Sequence, residues 1–92
     1  MKAIHPGRIL KRELAARNLS ANALALALRT PSGRIADIVN GKRGVSPETA
    51  MRLGRYFGNS PRFWLALQMS YALAAAEAEL GERIAAEAPA AP

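Results

Sequence analysis

The stretch from Arg29 to Gly44, RTPSGRIADIVNGKRG, sets four cations (Arg29, Arg34, Lys42 and Arg43) among short polar side chains and three glycines, with Asp37 as its only acid. Guanidinium and ammonium groups at this spacing neutralise phosphates, and Asn, Ser, Thr and free backbone N–H groups add hydrogen bonds to the same oxygens. A long arginine such as Arg43 also reaches a base edge, where its fork matches guanine. This is chemistry of recognition. Catalysis needs a nucleophile beside a base, paired carboxylates or a metal cluster. The chain has one histidine, His5, and no cysteine. Ser20, Ser46 and Ser60 each read as a helix cap rather than a nucleophile. No enzyme, no metal site and no cofactor is expected.

Charge points the same way. Residues 1–62 hold twelve of the thirteen Lys and Arg against only Glu13, Asp37 and Glu48. Residues 63–92 hold Arg83 against Glu77, Glu79, Glu82 and Glu87. A basic body with an acidic end favours a polyanionic partner. The chain shows no signal-peptide pattern at its start and no apolar run of the roughly 18–20 residues a bilayer span requires, so a cytoplasmic protein without membrane contact is expected.

The elements that must position these groups are helices. Ala and Leu dominate, while β-branched and aromatic residues are few, which favours helix over strand. Thr30-Pro31, Ser46-Pro47 and Ser60-Pro61 read as helix starts, since Ser or Thr accepts from an orphan amide and proline suits the first helical position. His5-Pro6 and Ser20 mark two more starts. The reading is all-α, five helices: Pro6 to Arg17, Ser20 to Leu28, Pro31 to Asn40, Pro47 to Phe57, and one from Ser60 to at least Ala78 with a break near Gly81. Residues 1–80 form one domain, of which about 61–80 is a C-terminal helix, and 81–92 form a partly disordered acidic, Ala/Pro-rich tail.

The second and third helices are short and joined by a tight turn at Arg29-Thr30, the layout of a helix-turn-helix. With Ile35 and Ile38 turned inward, the groove-facing set is Ser32, Gly33, Arg34, Ala36 and Asp37, followed by Asn40, Lys42 and Arg43. Thr30 in the turn and Asn22 at the start of the second helix complete the candidate DNA contacts. The fifth helix carries two apolar stripes, Phe63/Trp64/Leu67/Tyr71 and Leu65/Met69/Leu73/Ala76. One stripe closes the core. The other needs a partner, and Leu65, Met69 and Leu73 are the expected dimerisation residues.

The run from Ser20 to Gly58 resembles the lambda-repressor-like (XRE) helix-turn-helix family. With His5-Pro6-Gly7 before it and Ser-Pro-Arg-Phe-Trp-Leu-Ala-Leu-Gln after it, the chain is similar to the HigA/VapI antitoxins from about residue 4 to 72. That resemblance implies a compact five-helix lambda-repressor-like domain with the fifth helix at the dimer interface. It also implies the antitoxin of a type II toxin–antitoxin system: a homodimer that binds an inverted-repeat operator, represses its own operon and neutralises a HigB-type toxin, an RNA-cleaving protein of RelE-like fold. A stand-alone XRE-type repressor without a toxin is the alternative. Two positions depart from the family: Arg29 stands where a glycine is usual in the turn, and Ala21-Asn22 where many relatives carry glutamine. No long tail is present to wrap a toxin, so neutralisation would use a folded surface.

Overall fold

The computed structural model describes residues 3–92 and contains α1 (Pro6–Ala16), α2 (Ala21–Leu28), α3 (Arg34–Val39), α4 (Pro47–Phe57) and α5 (Pro61–Glu87). No strand occurs among the described residues. Four starts are capped as their residue types dictate. Ser20 Oγ accepts from Ala23 N at 3.0 Å, Ser46 Oγ from Thr49 N at 3.2 Å and Ser60 Oγ from Arg62 N at 3.1 Å. His5 Nδ1 accepts from Gly7 N at 2.9 Å, so an imidazole does for α1 what hydroxyls do elsewhere. Each satisfies one of the donors a helix start leaves free.

Thr30-Pro31 does not follow this rule. The helix expected from Pro31 begins only at Arg34, after a turn closed by Arg34 N donating to Pro31 O at 3.1 Å. Gly33 is the N-cap at φ 85°, a left-handed conformation that disfavours a side chain, and it supplies no capping oxygen. Its glycine is therefore explained by backbone conformation, not by a place in the first helical turn. Thr30 Oγ1 donates backwards to Ala25 O at 3.3 Å, so the hydroxyl closes α2 instead of opening α3.

The core is one cluster. Leu10 and Leu14 of α1, Leu24, Ala25 and Leu28 of α2, Ile35 and Ile38 of α3, and Ala50 and Leu53 of α4 meet Val45 and Trp64 inside it. Trp64 is fully buried, and its Nε1 donates to Asn59 Oδ1 at 2.9 Å, which meets the indole's one polar demand. Packing of α5 on α4 and α1 fixes how the helix-turn-helix sits on the rest of the body.

Two expectations for α5 are corrected. The helix runs unbroken through Gly81 to Glu87, giving a molecule 52 Å long and about half as wide. The stripes also divide differently: Phe63 is exposed, while Leu65 is half-buried against the monomer's own core alongside Leu67. Trp64, with its ring edge on Phe63, sets the rotation of the helix, and a residue one position on from the tryptophan stays partly inside. Met69 at 66% and Leu73 at 56% exposure remain uncovered, joined farther along by Ile84. No helix among the described residues is long and apolar enough to cross a membrane.

Candidate nucleic-acid interface

The surface around α3 is built by closing α2 tightly. Arg29 takes the left-handed conformation, φ 57° and ψ 40°, and its N–H donates to Leu26 O at 3.2 Å. Thr30 N donates to Ala25 O at 3.0 Å, and Arg52 Nη1 of α4 donates to Leu28 O at 2.9 Å. The carbonyls that a helix end leaves free are thus taken by the next turn and by an arginine from α4. An arginine thus occupies a left-handed turn position that glycine takes without penalty, at a strain of about 1 kcal/mol.

The chain then turns through the exposed residues Pro31, Ser32 and Gly33 into α3. Ile35 and Ile38 have no exposed surface, which commits the opposite side of this six-residue helix to solvent. On that side Arg34, Ala36 and Asp37 are half-exposed, and Asn40 at the C-cap is exposed. Past the helix, Gly41 adopts φ 74°. Lys42 N and Arg43 N both donate to Asp37 O, at 2.8 and 3.2 Å. One carbonyl therefore folds the Lys42-Arg43 segment back against α3 while both side chains stay exposed. Asn22 is exposed on the first turn of α2.

The electrostatics leave these cations free. Ion pairs among the described residues join Arg17 to Glu13, Arg52 to Glu48 and Arg83 to Glu87, and Arg34, Lys42 and Arg43 take part in none. An unpaired surface cation meets a phosphate without first breaking an internal pair. Of the expected site residues, the structure gathers Ser32 to Arg43 along one helix and its flanking turns, with Thr30 turned inward as a latch.

Two contributors, Arg52 and Gln68, escaped the sequence reading. Arg52 ties α4 to the end of α2. Gln68 Oε1 of α5 accepts from Val45 N at 2.8 Å, and Gly44 lies directly over that same amide. A polar Gln68 within the core-facing side of α5, between Trp64 and Tyr71, was the available signal.

Residues 10–64 match the helix-turn-helix family model, which covers more than half of the chain. The chain belongs to the helix-turn-helix family. Virulence-associated protein I of Dichelobacter nodosus is 50% identical over 78 residues, 84% of this chain and 72% of that protein. Among solved structures, a HigA-family addiction module antidote protein from Coxiella burnetii superposes with a TM-score of 0.93 at 41% identity, over 99% of this chain and 100% of that one. The Pseudomonas aeruginosa antitoxin HigA, solved with the higBA promoter, gives a TM-score of 0.92 at 45% identity, over 96% of this chain and 97% of that one. The solvent side of the second helix of the motif, α3, is made here by Arg34, Ala36 and Asp37 with the turns around them.

Proposed function

We propose that this chain is the antitoxin and autorepressor of a type II toxin–antitoxin pair, acting in the cytoplasm as a homodimer on an inverted-repeat operator. The observation that carries the reading is a fold shared at TM-score 0.92 with a promoter-bound antitoxin, joined to an unpaired Arg34/Lys42/Arg43 surface on α3 and the loop that follows it. In this reading α3 lies in the major groove. Ser32, Gly33 and Asp37 approach base edges and sugars, while Asn22, Arg34, Asn40 and Lys42 hold phosphates. Arg43 reads a guanine, and Thr30 acts on the interface through the turn it latches. The role is binding and not catalysis.

Two half-sites on one side of DNA lie about 34 Å apart, so two heads must be joined at fixed spacing. The uncovered Met69/Leu73 face of α5 supports that joint, with Leu65 adding its half-buried edge. A HigB-type toxin is the proposed protein partner, held on a folded surface.

The test is binding to the chain's own promoter across a salt series. Lys42→Ala and Arg34→Ala should each reduce the slope of log affinity against log salt by about one. Arg43→Ala should also relax preference at one base pair per half-site, by about 1–3 kcal/mol. Unchanged slopes in all three variants would remove α3 from the interface. Co-expression with the product of the neighbouring gene tests the toxin: a stable complex and restored growth are expected. Operator binding without either outcome would leave a stand-alone repressor.

A further inference from the structure

The loop between α3 and α4 is held from two sides. On one side Asp37 O accepts from Lys42 N and Arg43 N. On the other the Gln68 side chain, from an element 23 residues farther along, accepts from Val45 N at 2.8 Å. Val45 is buried, so this amide sits where water is a poor substitute and its partner fixes where the loop ends. Gly44 shows how close the brace lies. A Cβ there would stand 2.6 Å from Gln68 Oε1, 2.8 Å from its Cδ and 2.9 Å from its Nε2. Gly44 has no positive φ to explain it, so the glycine answers to the amide beneath. The next residue on α5 after Gln68 is Met69, on the uncovered outer face.

We infer that Gln68 is a positioning residue for sequence-specific DNA recognition: by holding Val45 N it anchors the end of the loop that carries Lys42 and Arg43 to α5, the helix with the exposed Met69/Leu73 face. This rests on the operator-binding reading above. Phosphate attraction tolerates a loosely held cation, because it is long-range and indifferent to sequence. Reading a base edge requires a side chain held in a narrow geometry. Loss of the brace therefore reduces discrimination more than attraction.

The experiment measures affinity for the chain's own promoter duplex and for a random duplex of equal length, with sedimentation and thermal unfolding of each protein. Gln68→Met keeps the length and removes the acceptor. Its promoter affinity should fall severalfold and by no more than about tenfold, since the worth of one hydrogen bond caps the ordering cost that the brace spares on binding, while random-duplex affinity holds and sedimentation is unchanged. Gln68→Glu keeps an acceptor for Val45 N. It should weaken both duplexes alike through its charge and so preserve their ratio. Gly44→Ala leaves α5 untouched and pushes the flexible amide away from Val45, so it should reproduce the Gln68→Met loss of ratio, and it decides the matter if Gln68→Met unfolds or changes its sedimentation. A promoter-to-random ratio unchanged in Gly44→Ala, or equal losses on both duplexes in Gln68→Met, overturns the inference. A wild-type protein that binds both duplexes equally overturns the operator reading instead.

Discussion

The two halves of α5 share one helix and little else. From Pro61 to Tyr71 the helix lies on the body: Trp64 is sealed in the core, Leu65 and Leu67 pack against it, Gln68 holds Val45, and the Tyr71 ring meets the His5 ring edge-on at a centroid distance of 4.8 Å. From Ala72 to Glu87 the helix projects, with Leu73 and Ile84 exposed, and it holds all four acidic side chains of the C-terminal part, Glu77, Glu79, Glu82 and Glu87. The proximal half gains its helicity from burial. The distal half has propensity, being rich in Ala, Leu and Glu, and a surface ion pair between Arg83 and Glu87, which contributes at most a few tenths of a kcal/mol. The distal half has little burial of its own to hold it, so it has most to gain from a partner.

Substitutions on the two halves test this contrast. The largest effect belongs to the body: Trp64→Ala should cost about 3–5 kcal/mol and unfold the domain early in urea, since it empties the core and removes the bond to Asn59 Oδ1. An unfolding midpoint close to wild type would mean that the proximal half is not anchored by this residue. Next comes the outer face. Changing Met69 and Leu73 together to Glu should produce monomers in sedimentation and cut operator affinity by at least tenfold, while the monomer's helix-turn-helix stays folded by circular dichroism. A double variant that remains dimeric would move the interface elsewhere. Leu65 is a poorer choice for this test, because its truncation would damage the core as well.

Smaller effects separate the body's local devices from its packing. Ser46→Ala removes the cap of α4 and should lower stability by about 1 kcal/mol in denaturant titration, without altering sedimentation. Arg29→Gly should act in the opposite direction. It relieves a left-handed arginine, offset in part by glycine's greater freedom in the unfolded chain, so a net gain of about 0.5 kcal/mol is expected. A loss of stability there would show that the Arg29 side chain contributes contacts that outweigh the strain.

The helix count, four of the five starts, the core-facing Ile35 and Ile38, and the cationic run from Arg34 to Arg43 were all legible along the chain. These depend on local rules: a hydroxyl before a proline, apolar residues at helical spacing, a glycine after a helix end. The same rules failed at Thr30-Pro31. There the hydroxyl had a competing acceptor in Ala25 O, and the left-handed Gly33 delayed α3 until Arg34. Only the tertiary structure could decide which α5 stripe faces inward, because a helix with apolar residues on two sides has two plausible rotations. The seating of Trp64 against Asn59 and Phe57 selected one, turning Phe63 out and Leu65 partly in. Only the tertiary structure, likewise, could join Gln68 to Val45 or Arg52 to Leu28. Such bonds span more than twenty residues of chain, and no periodicity within either segment encodes them.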